Sequence, residues 1–425
     1  MISTRDLETH LRSLALPGLP AGRAVIPDYD GYAISSVPAL VRRLFGENVA
    51  EGADLGATVL ERVAAPARKI VLLVVDGLGL LHLQDLVLRY PDLYLARLIE
   101  GGLLVPLTSV FPSTTVAALT TFNTGLTPQE HGMVGYRLYL KETLSITNMI
   151  HLSLLGNAQG ESAVGAGISL EAFVGAPSLS AALSRLGVET HTVLPRPIHS
   201  SGLSRILYSS SDKIHPVVDF ADMLVATRGL LRQLRGPAFI SLYWPGADTI
   251  AHTYGPWTEQ FTAELRAIDS ALECELAGQA GDALFLLASD HGFVAMERAD
   301  YRSLFDQPDL ERDLLLPPLG EPRASYLYVR EGRKEAVAEK IAALGGGLVC
   351  LDARAALSSG LFGRGPVKEE VPDRIGDLVV VSTGKAGLLH PYKDSPPLKG
   401  MHGGLSPQEM LVPLLLSRLD GKEVR

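Results

Sequence analysis

Three aspartates and three histidines stand where the chain changes character. Asp76 lies in Val74-Val75-Asp76-Gly77, and Asp248 and His252 lie in Gly246-Ala247-Asp248-Thr249-Ile250-Ala251-His252. Asp290 and His291 lie in Ser289-Asp290-His291-Gly292, and His402 in Met401-His402-Gly403-Gly404. Carboxylate oxygen and imidazole nitrogen are the customary ligands of zinc and related divalent ions. Six such groups suffice for two ions with about three protein ligands each, leaving positions open for water or substrate. Asp248 and His252 are four residues apart, so one helical turn would put both on one face. Alone, each aspartate has an ordinary explanation as a cap or turn former. Recurrence at three strand ends, joined by a glycine-flanked histidine, points to chemistry.

A candidate nucleophile comes from another segment. Val110-Phe111-Pro112-Ser113-Thr114-Thr115 precedes a small-residue helical stretch at 116–122. A Ser/Thr cluster there reads first as an N-cap. The same geometry aims backbone N–H groups and positive potential at an anion. A threonine hydroxyl held on a metal would lose its proton readily and attack phosphorus. Thr114 and Thr115 both fit that description.

These residues need a scaffold that gathers them. Continuous apolar runs at 69–75, 238–244, 283–288 and 378–381 suit strands buried on both faces, and helical stretches such as 257–276 lie between them. That order predicts an α/β fold with a mostly parallel central sheet flanked by helices. Ligands bind beyond the carboxyl ends of such strands, where Asp76, Asp248 and Asp290 fall. A strand–helix–strand unit interrupts the pattern, so residues 323–373 are expected to form a small α+β lid, with 1–322 and 374–425 as the catalytic core. Residues 137–177 are a second candidate insertion near the site. The first 65 residues show two short helical patterns and no chemistry.

Composition excludes several classes. The net charge of −9 over 425 residues argues against binding a nucleic-acid polymer. It does not exclude a small phosphate ligand, because bound cations would invert the local field. Cys274 and Cys350 are far apart and lack metal-type spacing, so neither a disulfide framework nor a CxxC zinc site is expected. The start lacks the basic-then-apolar pattern of a signal peptide, and no apolar run reaches the ~18–20 residues needed to cross a bilayer. A cytoplasmic protein without membrane attachment is expected. Gly77-Leu78-Gly79 lacks the third glycine of a dinucleotide fingerprint.

Together the motifs resemble those of the type I phosphodiesterase / nucleotide pyrophosphatase family of the alkaline phosphatase superfamily. In family order stand Val-Val-Asp-Gly ending at Gly77, Phe-Pro-Ser-Thr-Thr from Phe111, Gln-Glu-His-Gly around His131, Ala-Asp-Thr-Ile-Ala-His around Asp248, Ser-Asp-His-Gly around Asp290 and Met-His-Gly around His402. The resemblance implies an alkaline-phosphatase-like fold and two divalent ions, zinc first, with manganese or iron as substitutes. It implies that Asp76, Thr115, Asp290 and His291 hold one ion and Asp248, His252 and His402 the other. Thr115 would be the nucleophile and would carry a covalent phosphoryl group that water then removes. His131 matches the family and reads as structural, and His390 is left without a role. Val116-Ala117-Ala118 departs from the family's Phe-Pro-Asn, and Tyr136 followed by Arg137 stands where members carry a phosphate-holding asparagine. A tyrosine hydroxyl or a guanidinium could replace that contact, so Tyr136 and Arg137 are the expected substrate contacts.

The expected substrate is a small phosphate diester or nucleotide pyrophosphate. A phosphomonoesterase or phosphonate hydrolase on the same scaffold is the alternative. Arg137 favours the added charge of a monoester, while Phe111, Tyr136, Tyr243 and Trp244 would offer a slot for a diester's second substituent. Cys350-Leu351-Asp352-Ala353-Arg354 lacks the proline of a sulfatase motif. The complete ligand set argues against a catalytically dead binding protein.

Overall fold

The strand at Lys69–Val75 lies in parallel between Ala238–Trp244 and Leu284–Ala288, with Val71 opposite both Ile240 and Phe285. Successive side chains of a strand point to opposite faces. Ile70, Leu72 and Val74 accordingly join one apolar core with Leu119 and Phe122 of the helix Thr115–Thr124. Val71, Leu73 and Val75 join another, with Leu224 of the helix Phe220–Gln233 and Leu265 of the helix Glu259–Leu276. Both faces are covered, which is why the sequence runs read as continuously apolar.

The chain is described here by a computed structural model covering residues 3–63, 67–157, 160–279, 281, 283–390 and 398–419. Across the central sheet the order is Leu103–Thr108, Leu411–Arg418, Leu284–Ala288, Lys69–Val75, Ala238–Trp244, Glu189–Pro195 and Lys213–Val217. Leu411–Arg418 runs antiparallel to both of its neighbours, and the remaining pairings are parallel. The fold is thus a mixed α/β layer structure with a mostly parallel sheet. The N-terminal segment supplies helices at Thr4–Ser13, Val37–Leu44 and Ala53–Leu60, one more than the sequence suggests. Among the described residues no helix is long and apolar enough to cross a membrane.

A second seven-stranded sheet has the order Leu348–Asp352, Leu378–Ser382, Ala324–Leu327, Leu319–Glu321, Arg137–Leu140, Ser145–Asn148 and Ser153–Leu154. Its pairings are antiparallel. The apolar run at 378–381 therefore belongs to this sheet and not to the parallel one. Val379 and Val381 pack into the main core, while Leu378 and Val380 meet Val337 and Ile341 of the helix Lys334–Leu344. A strand covered on both sides has the same sequence signature in either sheet. The hairpin joining Leu319–Glu321 to Ala324–Leu327 straddles position 323, so residues 323–373 share their sheet with segments on both sides of them.

Arg323 ties this sheet to the chain after His402. Its side chain is wholly buried and grips Glu409 through two hydrogen bonds, Nε to Oε1 at 2.6 Å and Nη2 to Oε2 at 2.7 Å. It also donates to the carbonyls of Gly384 and Lys385. Glu409 in turn accepts from the amides of Gly404 and Ser406. Removing one member of a buried pair strands the other's charge. Arg323→Met is expected to lower unfolding stability by about 3–5 kcal/mol, read from denaturant midpoints; a loss below about 1 kcal/mol would show the pair to be dispensable.

Candidate metal centre and nucleophile

The candidate ligands are set by strand ends, a glycine turn and one helix. Asp76 directly follows Val75, and its amide donates to the Trp244 carbonyl at 3.0 Å, extending the strand ladder. Gly77 has φ +78°, and a Cβ there would come within 2.5 Å of Phe293 and 3.3 Å of the Asp248 Cα. Only glycine fits that turn without strain. Asp290 Oδ1 accepts from the amides of Gly77 and His291, at 3.1 and 2.9 Å, which locks its orientation. The helix Gly246–Tyr254 carries Asp248 and His252, with His252 Nε2 3.4 Å from Asp248 Oδ1. The short strand Gly400–Met401, paired with Val294–Ala295, delivers His402, whose ring stacks on that of His291 at 3.7 Å.

The three imidazoles are oriented alike. Nδ1 of His252 lies 2.8 Å from the Gly400 carbonyl, that of His291 3.2 Å from Gly292, and that of His402 3.0 Å from Ser113. A carbonyl only accepts, so each Nδ1 carries the proton and each Nε2 presents a lone pair to the site. The His252 and His402 Nε2 atoms are 3.3 Å apart. Two lone pairs facing each other repel, an arrangement that a shared cation would relieve. The carboxylates say the same. Oδ1 of Asp76, Oδ1 of Asp248 and Oδ2 of Asp290 are buried and have no hydrogen-bond partner among the described residues. Unpaired buried anionic oxygens are costly unless they bind an ion. Ligand atoms of Asp248, His252 and His402 lie within 4.8 Å of one another, as do those of Asp76, Asp248 and His291. The residues present fit two divalent cations, and Asp248 falls in both groups. Asp290 enters through Oδ2, 3.4 Å from His291 Nε2.

Burial sets the electrostatics. It pushes Asp248 up to about 8, with the Asp76 charge adding to the effect. It raises Asp76 well above the carboxylate range, reinforced by Asp290, and it raises Asp290 too. Burial holds His291 down to about 3 and depresses His402 strongly, with His291 and His252 contributing to the latter. Crowded acids that resist ionisation beside neutral imidazoles form a set whose mutual repulsion a divalent cation would relieve. Tyr243, which sequence reasoning placed in a substrate slot, donates its hydroxyl to the Asp76 carboxylate instead.

The two threonines diverge. Thr115 opens the helix Thr115–Thr124, and its Oγ1 lies 3.4 Å from Asp76 Oδ2 and 3.3 Å from His291 Nε2. Thr114 Oγ1 donates to Glu321 Oε1 at 2.6 Å and is thereby committed elsewhere. Tyr136 donates its amide to the same Glu321 oxygen at 3.1 Å, and its hydroxyl accepts from Asn148 Nδ2 at 2.7 Å. The Arg137 guanidinium lies 5.3 Å from the centre of the Tyr136 ring. Phe111 is buried against Phe362, and Trp244 donates to Glu264 and packs on Phe220, so both serve the scaffold. His131 is buried between Thr121 Oγ1 and the Met133 amide, a structural role. His390 is half-buried and meets the edge of Phe305, outside both ligand groups.

The family model for type I phosphodiesterase / nucleotide pyrophosphatase matches residues 70–405. Among solved structures, murine ectonucleotide pyrophosphatase / phosphodiesterase 5, in an inactive form with AMP, is 18% identical with a TM-score of 0.62, over 82% of this chain and 87% of that one. Phosphonoacetate hydrolase from Sinorhizobium meliloti 1021, in complex with phosphonoformate, is 20% identical with a TM-score of 0.61, over 83% of this chain and 90% of that one. At these identities the likeness is one of fold. By sequence, no curated protein matches the chain. A family match that begins at the first central strand and runs through the His402 motif identifies the chain as a member of the type I phosphodiesterase / nucleotide pyrophosphatase family, hence a metal-dependent hydrolase.

Proposed function

We propose that the protein hydrolyses small phosphate diesters or nucleotide pyrophosphates in two steps, with Thr115 as nucleophile at a centre for two divalent cations. The observation that carries this reading is the divergence of the two threonines: Thr115 Oγ1 faces Asp76 and His291, while Thr114 is tied to Glu321. Asp76, Asp290 and His291, with Thr115, would hold one cation, and Asp248, His252 and His402 the other. Bound zinc, or manganese or iron in its place, would supply positive charge that lowers the hydroxyl's pKa and offsets charge on the phosphoryl oxygens. Thr115 releases its proton to solvent, and its oxygen attacks phosphorus as the P–O bond to the leaving group breaks. Water then attacks the phosphorus of this threonine-linked phosphodiester, freeing a phosphate monoester that keeps the second substituent and restoring the hydroxyl. The helix Thr115–Thr124 presents its positive end to the anion. Because the Tyr136 hydroxyl accepts from Asn148, its own proton is left to donate to a phosphoryl oxygen. That makes Tyr136 the substitute for the family's asparagine. The unpaired Cys274 and Cys350 support a reducing compartment such as the cytoplasm.

The test compares kcat/KM of zinc-loaded enzyme on bis-p-nitrophenyl phosphate, a nucleotide 5′-p-nitrophenyl ester and p-nitrophenyl phosphate. Both diesters are expected to exceed the monoester. The reverse order would move the assignment to phosphomonoester hydrolysis, with Arg137 supplying the added positive charge.

A further inference from the structure

Glu321 is a carboxylate that belongs to neither ligand group. It ends the strand Leu319–Glu321, is 7% exposed, and forms no ion pair among the described residues. Three site segments converge on it. Its Oε1 accepts from Thr114 Oγ1, the hydroxyl next to the nucleophile, and from the Tyr136 amide on the substrate side. A Cβ on Gly403, the residue after His402, would come within 3.0 Å of the Glu321 Cβ. Its charge also reaches Asp248. Arg137 lies close enough to act on it electrostatically.

A fixed negative charge beside the nucleophile repels the incoming phosphoryl oxygens. The penalty grows with the substrate's charge, which is one for a diester and close to two for a monoester near neutral pH. Both hydrogen bonds to Oε1 stabilise the ionised carboxylate against the effect of burial. Nothing about holding Thr114 in place requires a charge, since an amide oxygen accepts equally well. We propose that Glu321 is a specificity-determining residue that selects singly charged diesters against doubly charged monoesters. This rests on the phosphodiester reading of the site.

Glu321→Gln keeps the shape and the Oε1 acceptor and removes the charge. The readout is the ratio of kcat/KM for bis-p-nitrophenyl phosphate to that for p-nitrophenyl phosphate. Each ratio is taken on one zinc-loaded preparation, so the fraction of active protein cancels. The assay is run at pH 8.5, above the value of about 7 to which burial pushes the Glu321 carboxyl. The ratio is expected to fall about tenfold through a gain on the monoester, the size of one partly screened charge several ångströms away. A wild-type preference for the diester that survives unchanged in Glu321→Gln would overturn the inference and leave the diesterase reading standing. Equal losses on both substrates would reduce Glu321 to a positioning residue for Thr114 and likewise overturn it. A wild-type preference for the monoester would sink the diesterase reading and the inference with it. Glu321→Met, uncharged and of similar length, carries the same test should the glutamine variant prove insoluble.

Discussion

Thr115→Ala is expected to lower kcat on a diester by a factor on the order of 10⁴ or more, the usual consequence of removing a covalent nucleophile. The fold should hold, because the substitution leaves a helix-compatible residue at the first position of Thr115–Thr124. Metal content should change little, since the aspartates and histidines remain. Acid quenching during diester turnover should trap threonine linked to the substrate's remaining phosphoryl ester in the wild type and none in the variant. Thr114→Ala makes the contrast. Its hydroxyl gives Glu321 a hydrogen bond of 2.6 Å, so its removal leaves a buried carboxylate short of a donor. That costs about 1–3 kcal/mol of stability, with a far smaller effect on kcat. Should Thr115→Ala stay active while Thr114→Ala dies, the nucleophile has been misassigned. Should both stay active, there is no threonine intermediate.

The candidate ligand cluster was legible because its members sit in short motifs, most of them just beyond apolar strands. Asp76 follows the run at 69–75, and Asp290 follows the run at 284–288, so local sequence fixes both the element and its exit point. Asp248 and His252 share a helix face by spacing alone. Local sequence says nothing about where separate segments meet. The run at 378–381 has the composition of a central strand but pairs antiparallel in the second sheet, because burial on both faces carries no label for the partner. Leu411–Arg418 likewise enters the central sheet between Leu284–Ala288 and Leu103–Thr108, a position set by long-range pairing. Glu321 was missed for the same reason. Its signal is a lone glutamate in Leu319-Gly320-Glu321-Pro322-Arg323, and only the pairing of Gly320 with Arg137 brings it beside Tyr136 and Thr114. Tyr243 was read as a ligand-slot aromatic, whereas inward alternation along Ala238–Trp244 turns its hydroxyl onto Asp76. One-residue motifs in a sheet acquire meaning only from their cross-strand neighbours.

Chelation should abolish turnover, and the metal-free protein should show an unusual dependence of stability on pH. Asp248 is raised to about 8 in the fold, with Asp76 and Asp290 also raised, against an unfolded value near 3.9. Without cations the folded state therefore retains protons that the unfolded chain releases, and stability falls as pH rises from about 4 toward 8. Buried histidines act in the opposite direction. His291, His131 and His82 are held down to about 3 by burial, against about 6.5 unfolded, so they remove stability as pH drops below that value. Above about pH 6.5 the histidine effect has ended, so the carboxylate effect stands alone and the metal-free protein loses stability toward pH 8. Adding cation ionises the carboxylates productively and should flatten this decline, so the rise in Tm on metal addition should be larger at pH 8 than at pH 6. Calorimetric scans of chelated and reloaded protein at the two pH values measure this directly. Equal metal-induced rises at both would mean that the unpaired oxygens of Asp76, Asp248 and Asp290 do not bind the cation. Turnover by protein verified to be metal-free would remove the two-cation reading altogether, whatever the stability data showed.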